Sequence, residues 1–223
     1  FSILLNSYKN NFHPLRFLKN NKLENLIEQF QSYFGFEKNF CLSMYNLNIN
    51  KFFKVNHINS NNINSINVLS ELDKFENTLY LNITKQILKK KILSKYQFIH
   101  IHPGYLPNIR GMDGSLWNYF IRSKFGVSSF VMAEGIDTGK IILREELEKK
   151  EFNFPIYKSL KAEELRRIWY SFFDPLLRAY HLKKLIKKTN FFQFIEFDKN
   201  YYKDKSVYYK NIDQDTQSIV FDK

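Results

Sequence analysis

His100 and His102 stand two positions apart in Phe98-Ile99-His100-Ile101-His102, a run that stops at Pro103-Gly104. Alternation of period two is the pattern of a strand, and it turns both imidazoles to one face at the strand's C-terminal end. An imidazole exchanges a proton near neutral pH, so this pair could accept, donate or relay one. Two rings so close resist carrying charge together, and a carboxylate nearby would decide which keeps the proton. Asp137, bracketed in Gly135-Ile136-Asp137-Thr138-Gly139, is the candidate. His-x-His could also be a metal pair, but no third ligand stands near it in sequence and Cys41 is the single cysteine, so no metal is expected.

The elements that must position these groups are legible around them. Gly104, Gly111, Gly114, Gly126, Gly135 and Gly139 crowd a window that otherwise reads as strand and helix, whereas Gly35 stands alone upstream. Glycine serves where φ is positive or where something approaches the backbone, which predicts loops shaped around a ligand. Ser2 to Asn6 reads as a strand and residues 15 to 34 as an amphipathic helix, with Leu18, Leu23, Leu26, Ile27 and Phe30 at helical spacing. An Asn-rich stretch, 46 to 67, offers a weak strand among loops. Thr78 to Asn82 is expected as a strand and Thr84 to Leu93 as a helix with Ile87, Leu88 and Ile92 on one side. Beyond the histidines, a helix follows Gly111 with Asp113 as its cap, then strands at Phe125 to Met132 and Lys140 to Leu147.

This alternation implies an α/β fold of Rossmann type, a mostly parallel sheet flanked by helices. A long helical segment from Pro155 to Lys188 carries a broad apolar stripe that reads as core, and Asp174-Pro175 should kink it. The α/β domain is expected over 1–190, with 191–223 a short extension forming a strand or hairpin with a frayed end. Ligands of open α/β sheets bind at the strands' C-terminal edge, where the histidines lie.

At 223 residues, 44% hydrophobic and 25% charged, the chain can build one sizeable core, which excludes a disordered or collagen-like protein. No run approaches the roughly 18 apolar residues of a membrane span and the first residues lack the order of a secretory signal, so a cytoplasmic protein is expected. The net charge of +12 would suit nucleic acid. However, the excess is Lys arriving with Asn, Ile, Phe and Tyr, all residues of A/T-rich codons, so base composition accounts for it; nucleic acid is not the expected partner. Anionic small molecules such as nucleotides remain compatible with it.

His102-Pro103-Gly104-Tyr105-Leu106-Pro107, then Arg110-Gly111, then the loop around Asp137 together resemble the family of formyltransferases that use N10-formyltetrahydrofolate. Glycinamide ribonucleotide, methionyl-tRNA and sugar N-formyltransferases are its members. The resemblance covers residues 78 to 150 well and the first 75 only in layout. It implies the formyl donor as cosubstrate, and His102 and Asp137 as the catalytic His and Asp. The family's catalytic Asn falls on His100, a departure: an amide donates a hydrogen bond at every pH, whereas a neutral imidazole donates through one nitrogen only. The roles expected are His102, paired with Asp137, managing the proton, and His100 donating to the oxyanion of the attacked formyl group.

By the same resemblance Asn82, Ile83, Gly135 and Ile136 would contact the donor, although Asn82 and Ile83 replace a glycine-rich turn. Gly104, Tyr105, Arg110, Gly111 and Asp113 would lie on the acceptor side. The expected acceptor is the primary amine of a nucleotide-linked amino sugar, because too little chain follows Ile195 for the extra domain of a methionyl-tRNA enzyme and Asn6-Ser7-Tyr8 lacks the glycines of the glycinamide ribonucleotide enzymes. Either of those acceptors, or a formyltransferase-like binding module without turnover, is the alternative. Sheet edges and the aromatic tail could support a homodimer.

Overall fold

A computed structural model describes residues 2–6, 21–45, 47–48, 51, 54–58, 60–75, 78–84, 86–150, 152, 161–200 and 203–222. In chain order the elements are β1 (Ser2–Asn6), α1 (Asn21–Tyr33), α2 (Phe40–Tyr45), β2 (Lys54–Ile58), α3 (Ile66–Leu72), β3 (Leu79–Asn82), α4 (Lys90–Leu93) and β4 (Gln97–His102). There follow β5 (Arg110–Gly111), α5 (Gly114–Arg122), β6 (Lys124–Met132), β7 (Gly139–Glu148), α6 (Ala162–Ile168), α7 (Asp174–Lys188), β8 (Tyr208–Tyr209) and α8 (Gln214–Asp222). The part of the expected first helix over 15–20, and of the C-terminal segment over 155–160, lies outside the described residues.

The fold is α/β, as read from the sequence, but its central sheet is mixed rather than mostly parallel. Its order is β3-β4-β6-β7; β3 and β4 run parallel, while β6 is antiparallel to both β4 and β7. The six-residue loop between β6 and β7 makes a hairpin, which reverses direction by construction, whereas a parallel return needs a longer crossover. β1 and β2 form a separate parallel pair, and so do β5 and β8.

Alternation sorts the faces of β4. Ile101 enters the main core with Phe125 and Val127 of β6, Leu26, Ile27 and Phe30 of α1 and Leu176 and Leu177 of α7. His100 and His102 point to the other face, His100 opposite Phe130 and His102 opposite Ser128. A π-helical turn, Trp169–Phe173, joins α6 to α7. Pro175 has no N–H to give and its ring crowds the preceding turn, so the helix widens there instead of breaking. Trp169 and Phe173 stack at 3.7 Å between ring centroids across that turn, within the core.

Two expectations change. The helix over Thr84–Leu93 shrinks to α4, because the side chains of the Asn-rich stretch hold the backbone before it: Ile87 O accepts from Asn64 Nδ2 and Lys89 N donates to Asn64 Oδ1, at 2.9 and 2.8 Å. Ile87 is therefore exposed while Leu88 and Ile92 are buried. The extension opens on a turn, with positive φ at residues 190 to 192. The strand of the extension is β8, and α8 behind it packs Val220 into the main core together with Ile212, so the described end is docked. No helix among the described residues is long and apolar enough to cross a membrane.

Candidate active site

Pro103 stops β4, and His102 lies just before it with its side chain only 3% exposed. Its ring fits because two neighbours lack side chains. A Cβ on Gly104 would meet His102 Nε2 at 2.6 Å, and one on Gly114 would meet it at 2.8 Å. Within this cradle Nε2–H donates to the carbonyl of Ile109 at 2.9 Å. A carbonyl can only accept, so the proton of the neutral ring is on Nε2. Nδ1 then turns its lone pair toward Asp137 Oδ2, 3.5 Å away.

Asp137 is held in the left-handed region, φ 50°, by its glycine-bracketed loop. Its Oδ2 accepts from the backbone N–H of Gly111 at 2.7 Å. The loop is tied from outside: Arg110 Nε donates to Ile136 O at 3.0 Å, and Thr138 Oγ1 to Glu134 O at 2.8 Å. Burial pulls the His102 imidazole below its ordinary value, Asp137 pulls it up, and burial prevails.

His100 is held by a backbone carbonyl as well. Its Nδ1–H donates to the carbonyl of Asn82, its partner across β3 and β4, at 2.8 Å. Nε2 is therefore unprotonated in the neutral ring and accepts. Burial, then the nearby Arg178 guanidinium, push this imidazole down to about 4 against the pull of the Asn82 carbonyl, so the ring is neutral at physiological pH. A neutral ring with its one proton committed to Asn82 has none to give an oxyanion.

The remaining expected residues divide. Asn82 is buried, its Oδ1 accepting from Thr84 N and its Nδ2 donating to Met132 Sδ, while Ile83 beside it is 76% exposed. Ile136 is exposed as well, in the loop of Gly135 and Asp137. Lys90 and Glu134, 3.4 Å apart, bring the segment after Ile83 against that loop. Gly104 and Gly111 act through close approach, Gly104 to His102 and Gly111, φ 100°, to Tyr208 and Tyr209. The Tyr105 ring packs against the guanidinium groups of Arg122 and Arg144, and its N–H donates to Asn118 Oδ1. Asp113 stands at the N-cap of α5 as expected, but its side chain makes no cap bond: the buried carboxylate instead accepts from Arg166 and Tyr170, each at 2.7 Å, and from Ile212 N at 2.9 Å.

Ile109, Arg178 and Tyr208 belong to the site without having been singled out. Arg178 donates to the carbonyl of Ile101, between the two histidines, and to Asp174 at 2.7 Å. Tyr208 is brought in by β8, which pairs with β5 through Arg110 N to Val207 O at 2.9 Å and Met112 N to Tyr209 O at 3.0 Å. Alternation packs Tyr209 on Trp117 and leaves Tyr208 44% exposed, its ring beside Gly111. Among the described residues no cluster of three or more His, Cys, Asp or Glu could hold a metal.

A neutral, accepting imidazole, a second one wedged beside a carboxylate, and a loop on each side of the strand end suit proton transfer during attack at a carbonyl carbon. A stretch of the chain is similar in sequence to methionyl-tRNA formyltransferases, and its fold to that of a protein solved with a reduced folate. It is 40% identical over 68 residues, 29% of this chain, to a methionyl-tRNA formyltransferase of Clostridium acetobutylicum. To that of Caldicellulosiruptor saccharolyticus it is 38% identical over 90 residues, 36% of this chain. The matches span 22% and 27% of those relatives, about a quarter of their length. HypX from Aquifex aeolicus, solved in complex with tetrahydrofolic acid, shares the fold with a TM-score of 0.50 and 13% identity over 88% of this chain and 31% of its own. No protein-family model matches the chain.

Proposed function

We propose that the protein transfers the formyl group of N10-formyltetrahydrofolate to a primary amine, carried by a nucleotide-linked amino sugar. The observation that carries this reading is the convergence of His100, His102 and Asp137: two imidazoles on one face of β4, with a carboxylate 3.5 Å from the second. The donor supplies the activated formyl carbon. Toward it the chain offers exposed Ile83 and Ile136 as apolar walls for a flat pterin ring, with Gly135, φ 112°, opening the backbone between Ile136 and the strand.

The acceptor side is bounded by Gly111, Met112 and Tyr208. Met112 and Tyr208 are exposed there, a thioether and an aromatic ring of the kind on which a nucleobase packs. The excess of Lys and Arg is compatible with an acceptor that carries phosphate. Methionyl-tRNA is the second reading, favoured by the identity of the two curated relatives.

Titration with the stable analogue 5-formyltetrahydrofolate by calorimetry tests the donor. Micromolar binding is expected for the protein, with loss in Asp137→Ala, whose change releases Gly111 N. No binding to the unaltered protein would overturn the reading. Turnover assays with UDP- and TDP-linked amino sugars against methionyl-tRNA then decide the acceptor.

A further inference from the structure

We propose that His100, through its unprotonated Nε2, is the base that takes the amine proton and returns it to the nitrogen the formyl group leaves, while His102 is a positioning residue. The inference rests on the formyl-transfer reading and assigns the proton path within it. The geometry fixes each ring by what faces it. His100 Nδ1–H is committed to the Asn82 carbonyl at 2.8 Å, and His102 Nε2–H to the Ile109 carbonyl at 2.9 Å. Both partners are backbone oxygens that cannot donate, so both tautomers follow.

The free positions of the two rings differ in kind. His102 Nδ1 faces Asp137 Oδ2, and the whole ring, cradled by Gly104 and Gly114 on its Nε2 side, is only 3% exposed. His100 Nε2 has no partner among the described residues and is not one of the buried orphan atoms, so it is the lone pair open to a substrate. The charged groups around His100 are His102 on its own strand, Asp137 from the β6–β7 loop and Arg178 from α7. Arg178 disfavours a standing charge on the ring and Asp137 favours a transient one, which suits a group that is protonated only during turnover.

The step balances. The amine nitrogen bonds to the formyl carbon and its proton moves to His100 Nε2; the bond from that carbon to N10 breaks, and the same proton passes to N10. The products are the formamide and tetrahydrofolate, and His100 is restored. His102 meanwhile fixes Ile109 while Asp137 holds Gly111 N, so that the loop carrying Gly104 to Gly114 keeps its shape.

The first test reads the tautomers directly, by long-range proton–nitrogen NMR of protein labelled with 15N-histidine, assigned with His100→Asn. Expected is a neutral His100 with its proton on Nδ1 across about pH 6 to 8, and a shift of its Nε2 signal on adding 5-formyltetrahydrofolate. A His100 with its proton on Nε2 overturns the proposal. In turnover, His100→Asn, which restores an amide donor at this position, is expected to lose at least about 100-fold in kcat. His100→Ala should regain part of the rate when imidazole is added, a rescue that a merely structural residue does not show. A His100→Asn rate at half the unaltered level or above overturns the base assignment. Analogue binding without transfer to any tested acceptor would strike the acceptor reading instead, and the NMR result would still judge His100.

Discussion

The proton of an unfolded histidine binds with a value near 6.5, whereas folding pushes His100 down to about 4. Between those values the unfolded chain takes up a proton that the folded chain refuses. Stability is therefore complete above about pH 6.5 and falls as pH drops toward 4, by roughly 3 kcal/mol at about 1.4 kcal/mol per unit. Urea midpoints measured from pH 7.5 to 4.5 should show this slope, and His100→Asn should flatten it. At the neighbouring ring, Gly104→Ala and Gly114→Ala each drive a methyl against His102, so each should cost roughly 1–3 kcal/mol and most of the turnover. Thermal melts and activity on the same preparations check both. That the two histidines share a strand end was legible, because period two and Pro103 announce it. Which nitrogen holds each proton was not. It depends on the carbonyls of Asn82 and Ile109, and a backbone oxygen leaves no mark in sequence.

Short elements here are set by distant partners, and that limits local reading. The helix expected from Thr84 loses its first turns to Asn64 and Gln86, which bond the stretches 87–89 and 61–63 across the loop. The same Asn-rich stretch had offered only a weak strand signal of its own. β5 and β8 are two residues each, too short for alternation to be counted, and they pair residues about a hundred positions apart. β6 and β7, joined by one hairpin, could be read at nearly their full length. Gly111→Ala tests the short pair: at φ 100° a side chain is strained and its Cβ would strike the Tyr209 carbonyl. The expected cost is roughly 1–3 kcal/mol, with faster hydrogen exchange at the amides of Arg110 and Met112, which donate to Val207 and Tyr209.

Across the whole molecule, one buried carboxylate joins three separate parts of the chain. Asp113 at the start of α5 holds Arg166 of α6, Tyr170 of the π turn and the N–H of Ile212 ahead of α8. Asp113→Asn weakens all three at once and should cost roughly 3 kcal/mol, read as a lowered melting temperature. Arg144 makes a second tie, from β7 to Asp198 and Asp204. The residues after 190 thus complete the wall of the site, although composition alone suggested an appendage.

The parallel pairing of Arg110 and Gly111 with Tyr208 and Tyr209 also orders events in time. Ribosomes extend a chain at roughly 5–20 residues per second, so the loop that follows the second histidine waits on the order of 5–20 s for its strand partner to be made. During that interval β4 can already pair with β3, its partner from earlier in the chain, while the loop beyond it has no edge to rest on. Shaping of the loop beyond His102 is therefore tied to synthesis of a strand about a hundred residues downstream, and a nascent chain that has not yet reached Tyr208 lacks that support.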